Sequence, residues 1–202
     1  MKKVLGIGSS PRKGGNSDIL LKRMLKGARD GGVATEEVQL RDYLFQPCIG
    51  CERCRKEKRC VELQDGMQLI YPKITEASGL ILISPVHNYN VTAWMKSFID
   101  RLYCFYNFTE ERPGSWSSQL AGQCRKAIVA AVGEEASREE GMTPTLEAMR
   151  LPIKALGHEV IGELPVLGIF GKGKVKEYPE ILGKAETLGR RLASLISSSG
   201  NK

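Results

Sequence analysis

The chain has 202 residues, 42% apolar and 26% charged, the proportions of an ordinary globular protein, with no repeat, low-complexity tract or flexible linker. A single domain over residues 1–202 is therefore expected, and disorder only in the final SSSGNK. The longest apolar run, GLILISPV (Gly79 to Val86), is far shorter than the roughly 20 residues a bilayer requires, which excludes a membrane-spanning helix. VLGIG after Met-Lys-Lys is too short for a signal peptide, so a cytoplasmic location is expected.

KVLGIG (Lys3 to Gly8) reads as a strand, and Ile19, Leu20, Leu21, Met24, Leu25 and Ala28 recur at helical spacing up to Gly31-Gly32. VATEEVQL is a second strand. After the cysteine-rich segment, Asp65 caps a helix through Ala77 that contains Pro72. GLILIS (Gly79 to Ser84) is apolar without alternation, as for a strand covered on both faces. Thr92 to Tyr106 reads as a helix, with Trp94, Phe98, Ile99, Leu102 and Tyr106 on one side. A polar loop leads to the strand KAIVAAV (Lys126 to Val132). A helix from Thr143 to Leu156, the strand HEVIGELPV and a last helix with Leu182, Ala185, Leu188, Leu192, Leu195 and Ile196 on one face complete the pattern.

Five strands alternating with five helices imply an α/β fold, a flavodoxin-like three-layer sandwich. The expected sheet is parallel and five-stranded, in the order 2-1-3-4-5, with a cysteine-rich insertion after strand 2. Ligands then belong at the strand C-termini, in the loops Ser9 to Asn16, Pro85 to Val91 and Gly133 to Gly141.

SSPRKGGNS (Ser9 to Ser17) combines hydroxyls, cations and two glycines ahead of a helix. Its glycines let backbone N–H groups approach an anion, and Ser17 near the N-cap places that anion at the positive end of the helix dipole. Gly6-Ile7-Gly8 begins a dinucleotide fingerprint, but Pro11 occupies the place of its third glycine. A mononucleotide fits better. In the next loop, Pro85, Val86, His87, Asn88, Tyr89 and Asn90 offer an aromatic surface and amide donors suited to the edge of an isoalloxazine. Gly133 and Glu134 are placed to approach the ring from the other side. His87 is read as a flavin contact, and no side chain is demanded as catalytic acid or base, because flavin chemistry resides in the cofactor.

SSPRKGGNSDILLKRMLKGA and SPVHNYNVTAWMKSFIDR resemble the two flavin-binding signatures of the NADPH-dependent FMN reductase group of flavodoxin-fold proteins, a likeness covering nearly the whole chain. It implies that Ser10, Arg12, Asn16 and Ser17 hold the FMN phosphate and that Pro85 through Asn90 line the isoalloxazine. His87 departs from the pattern, standing where a tyrosine is commoner.

Cys48, Cys51, Cys54 and Cys60 form Cys-x2-Cys-x2-Cys-x5-Cys in a loop spanning 46–62. Disulfides are disfavoured in a cytoplasmic protein and would be strained in so short a loop. Zinc usually takes two Cys-x2-Cys pairs farther apart, whereas three closely spaced cysteines with a fourth nearby match cubane ligation in ferredoxins. Ligand-free thiols are the remaining alternative. The motif, within an FMN-reductase-like chain, is similar to that of the iron-sulfur flavoprotein family, which implies a [4Fe-4S] cluster on these four cysteines. Cys104 and Cys124 are read as buried or spare thiols.

Thirty basic and twenty-three acidic residues give a net charge of +7. Arg53, Arg55, Lys56, Lys58 and Arg59 lie within the cysteine segment against only Glu52 and Glu57. This concentration suits a net-negative cluster and an acidic carrier such as a ferredoxin. The expected function is an electron-transfer oxidoreductase passing electrons between a [4Fe-4S] cluster and FMN, with ferredoxin or NAD(P)H as partner. The resemblance also implies a homodimer or homotetramer. The alternatives are an NAD(P)H-dependent FMN or quinone reductase without a cluster, and a zinc-stabilised nucleic-acid-binding module. The second lacks interleaved aromatics in the basic loop and leaves the phosphate and flavin loops unexplained.

Overall fold

The computed structural model describes residues 2–112 and 114–198. Strands β1 (Lys3–Gly8), β2 (Ala34–Gln39), β3 (Gly79–Pro85), β6 (Lys126–Val132) and β7 (Glu159–Val166) form one parallel sheet in the order β2-β1-β3-β6-β7. Counted within that sheet, this is the expected 2-1-3-4-5.

The apolar runs of β1, β3 and β6 lack alternation because each neighbouring side chain meets a different helical layer. Leu80, Leu82, Ala127 and Val129 enter the core formed with α3 (Met67–Glu76), α4 (Ala93–Arg101) and α5 (Met142–Ala155). Ile81, Ile83, Ile128 and Ala130 face α1 (Asn16–Asp30) and α6 (Pro179–Ser198). Among the described residues no helix is long and apolar enough to cross a membrane.

Several boundaries differ from expectation. The segment between α4 and β6 is not simply a polar loop, because it holds the antiparallel pair β4 (Tyr106–Phe108) and β5 (Trp116–Ser118). Phe108 lies opposite Trp116, and the Tyr106 and Trp116 rings meet edge to face at 5.3 Å. Three-residue strands are too short to display a period of two, so cross-strand aromatic packing supplies the ordering. The helix expected to reach Tyr106 therefore ends at Arg101 and tightens into a 3-10 turn over Leu102–Phe105. Helix α1 is capped by Gly15 rather than Ser17. A single helical turn, α2 (Cys54–Glu57), stands inside the cysteine segment. Of the SSSGNK tail, Ser197 and Ser198 continue α6, while residues 199–202 lie outside the described residues.

Candidate functional site

At the C-terminal edge of the sheet, the loops after β1, β3 and β6 meet around an open cavity of about 420 Å³. Its walls include Ser10, Arg12, Asn16 and Ser17 from the first loop, Pro85, Val86, His87, Asn88 and Tyr89 from the second, and Gly133 and Glu134 from the third. Two expected contacts lie outside these walls. Ser9 is fully buried, and its N–H and hydroxyl both donate to the Ile83 carbonyl, at 3.1 and 3.4 Å. It ties β1 to β3 beneath the cavity. Asn90 closes a tight turn by exchanging backbone bonds with His87, and its Oδ1 accepts from Val91 N–H at 2.8 Å.

That turn places Asn88 and Tyr89 at φ +46° and +66°, a left-handed conformation that non-glycine residues adopt at a cost and that clusters at binding sites. Tyr89 is thereby displayed at the rim, 66% exposed. Below the turn, the Thr92 hydroxyl donates to the Ser9 carbonyl at 3.1 Å and accepts from Met95 N–H at 3.2 Å, capping α4.

The loop after β1 is shaped by groups that its own sequence does not reveal. The buried Asp18 carboxylate accepts from Gly14 N–H at 2.7 Å. Arg41, just beyond β2, meets that carboxylate with both Nη atoms at 3.0 and 2.8 Å and also donates to the Ser10 carbonyl. With Asp18 neutralised, the first turn of α1, whose N–H groups have no intrahelical acceptor, borders the cavity through Asn16 and Ser17 at the positive end of the helix.

A fourth loop, after β7, completes the wall with Ile169, Phe170 and Lys172. Arg12 stacks over the Phe170 ring at 4.8 Å and donates to its carbonyl at 3.3 Å. Asn16 donates from Nδ2 to the Gly171 carbonyl and accepts from Val175 N–H, so its side chain holds this loop against α1. GIFGKGK (168–174) is glycine-rich and basic, and its position after a parallel strand was the available signal. Glu135 also joins the wall, and its Oε2 is buried without a hydrogen-bond partner.

A second cavity, of about 360 Å³, is lined by Cys48, Cys51, Cys54 and Cys60 together with Ile49, Leu63, Arg101 and Tyr103. Cys48 and Cys51 are exposed and Cys54 and Cys60 half-buried. Burial raises the pKa of the Cys54 thiol, and the nearby Cys60, Cys48 and Cys51 raise it further. Cys104 forms part of the same wall, its thiol pushed up to about 12 chiefly by burial, whereas Cys124 is exposed. Among the described residues no three His, Cys, Asp or Glu side chains form a group that would hold a metal ion.

The basic residues around this cavity divide into two sets. Arg53 pairs with Glu62 at 2.7 Å, and Arg55 lies over the Phe108 ring and donates to the Thr109 carbonyl. Lys56, Lys58 and Arg59 are exposed.

The model of the NADPH-dependent FMN reductase family matches residues 2–157. An iron-sulfur flavoprotein of Methanocaldococcus jannaschii is 31% identical over 96% of this chain and 97% of its own length. One from Archaeoglobus fulgidus is 32% identical over 97% of this chain and 81% of its own. Among solved structures, an NAD(P)H:quinone oxidoreductase from Methanothermobacter marburgensis superposes with a TM-score of 0.73 at 17% identity, covering 95% of this chain and 99% of that one; this likeness shows the fold. On the family match and the two near-full-length relatives, the chain belongs to the iron-sulfur flavoproteins of the NADPH-dependent FMN reductase family and is a flavin-dependent oxidoreductase.

Proposed function

We propose that the chain binds FMN in the 420 Å³ cavity and a [4Fe-4S] cluster on Cys48, Cys51, Cys54 and Cys60, and that it passes electrons between the two. The observation that carries this reading is the gathering of all four cysteines around one cavity, separate from the cavity built by the flavin-type loops. Bound there, FMN would supply both one- and two-electron transfer and the cluster single-electron transfer.

The residues present suit both groups. Ser10, Arg12, Ser17 and the first N–H groups of α1 offer a phosphate hydroxyl donors, a cation and backbone donors. The unpartnered Glu135 Oε2 is a buried acceptor, matched by the ribityl hydroxyls and ring N–H of FMN. Pro85 to Tyr89 provide a flat wall for the isoalloxazine. At the second cavity, the four cysteines that line one wall offer a cubane its four thiolate ligands.

The exposed Lys56, Lys58 and Arg59 favour an acidic carrier such as a ferredoxin, and NAD(P)H is the alternative donor or acceptor at the flavin. Tyr89 and Phe170, 66% and 59% exposed at the flavin rim, suit burial against a second copy of the chain, consistent with a homodimer or homotetramer.

The test is anaerobic purification of Cys51→Ala beside the parent chain, with iron, zinc, sulfide and FMN counts and absorption spectra before and after dithionite. Iron and sulfide should disappear from the variant while FMN stays. Full retention of iron would overturn the ligand assignment. A parent chain with FMN but no iron or sulfide would favour the cluster-free reductase.

A further inference from the structure

Two of the loop's own arginines, Arg53 and Arg55, turn to Glu62 and Phe108, and it is a cation from outside the loop that touches a cysteine sulfur. Arg101, the last residue of α4, is 2% exposed and donates from Nη2 to Cys60 Sγ at 3.5 Å. Its remaining donors are also engaged. Nε donates to the Tyr71 hydroxyl at 3.1 Å, and Nη1 to the Gln46 carbonyl at 2.9 Å. Nη2 also reaches the Leu63 carbonyl at 3.4 Å. The Asp65 carboxylate accepts from both Nη atoms, at 2.7 and 3.1 Å.

Gln46 and Leu63 flank the four cysteines on either side. One buried guanidinium therefore closes the segment that carries them and contacts one of their sulfurs. Asp65 strengthens the closure by also accepting from Gln46 N–H at 3.0 Å. A guanidinium can do this because its five N–H groups form a rigid planar fork; a lysine ammonium is a point charge with three donors.

We propose that Arg101 is the positioning residue of the cysteine site: it fixes the geometry of the 46–65 segment and, through its hydrogen bond to Cys60, raises the reduction potential of a cluster held there. The proposal rests on the cluster assignment above. A donor to a ligand sulfur stabilises the state with more negative charge on the cluster, which is the reduced one. Asp65 offsets the long-range charge of Arg101, so the effect on the sulfur is mainly that of the directed hydrogen bond.

Helix α4 gives this role a structural setting. It begins at Thr92, bound to Ser9 and Ser84 beneath the flavin cavity, and ends at Arg101. A nine-residue helix, about 13 Å long, thus fixes the cysteine segment relative to the flavin loop.

The test compares the holoprotein, rebuilt anaerobically with iron and sulfide, with Arg101→Lys and with the double variant Asp65→Asn/Arg101→Gln. The double variant avoids leaving a buried carboxylate unpaired. Iron, sulfide and FMN are counted, and the cluster midpoint potential is read by redox titration followed by electron paramagnetic resonance. The expected result is a lower potential in both variants, smaller in Arg101→Lys, with FMN per chain unchanged. A potential equal to that of the parent chain, in variants carrying a full complement of iron and sulfide, would overturn the role of Arg101 while leaving the cluster assignment intact. A parent chain that takes up no cluster would overturn both.

Discussion

Arg41 and Asp18, brought together from the end of β2 and the first turn of α1, form a two-pronged ion pair with N–O distances of 3.0 and 2.8 Å, buried beneath the phosphate loop. Alone, the Asp18 carboxylate would repel an anion at the helix N-terminus; paired, it orients Gly14 at no electrostatic cost to that site. Arg41→Met should therefore leave a buried charge uncompensated and cost on the order of 3 kcal/mol of stability. It should also weaken FMN binding at least tenfold. Asp18→Asn/Arg41→Met should recover most of the stability, a coupling that urea denaturation of the four proteins of the cycle would measure. Additive losses would show that the pair does not act as a unit.

Glu135 belongs to the wall of the 420 Å³ cavity, and its buried Oε2 has no hydrogen-bond partner. A charge-assisted hydrogen bond from the cofactor to this oxygen is worth about 1.5–3 kcal/mol, so Glu135→Ala should raise the FMN dissociation constant roughly tenfold or more. Glu135→Gln, which keeps a carbonyl acceptor, should raise it less. Fluorescence titration of the apoproteins with FMN gives the comparison. Tighter binding in Glu135→Ala would mean that the carboxylate opposes the cofactor.

What the sequence made legible follows from how far apart the cooperating residues lie. The phosphate loop and Cys48 to Cys60 are contiguous, so composition and spacing alone marked them. The sheet order followed from alternation, since crossover handedness leaves few choices. Arg41, Arg101 and Phe170 reach their sites only through topology: Arg101 contacts Cys60 from 41 positions away, and Arg12 meets Phe170 from 158. Ser9 and Asn90 carried the polar groups of site residues, but backbone geometry turned those groups to Ile83 and Val91. Gly27 and Gly189 likewise have a reason only in the packing of α1 on α6.

At that pairing, a Cβ built on Gly189 would stand 1.8 Å from the Met24 carbonyl oxygen, and one built on Gly27 would stand 2.0 Å from that of Glu186. The two helices approach backbone to backbone, so an added methyl meets atoms that cannot rotate away. Gly189→Ala should therefore destabilise the fold by about 1–3 kcal/mol, despite alanine's higher helix propensity. It should leave FMN affinity in the folded protein unchanged, because the contact lies on the helical layer away from the cavity loops. Thermal denaturation and flavin titration together test this. A stabilised variant would show that propensity outweighs packing here.

His158 supplies a pH dependence of the fold itself. It is 2% exposed, and neither ring nitrogen has a hydrogen-bond partner. Burial, reinforced by the positive charge of Arg125, lowers its pKa to about 4. In the unfolded chain the imidazole takes its proton near pH 6.5. Between about 6.5 and 4 the unfolded state therefore binds a proton that the native state refuses, so stability falls as pH falls through that window and is unaffected by this group above it. The full difference is on the order of 3 kcal/mol. Burial works to raise the pKa of Asp65, but its hydrogen bonds, from Arg101 above all, hold it below the ordinary carboxylate value, so its protonation adds to the loss at the acid end and the contribution of His158 is read as a difference between proteins. His158→Met removes both the titration and the unpartnered nitrogens. Urea denaturation at pH 7.5 and pH 5 should show the parent chain losing more stability than the variant over that interval, with the variant the more stable of the two at pH 5. Equal losses in the two proteins would mean that the imidazole is not held neutral in the native state.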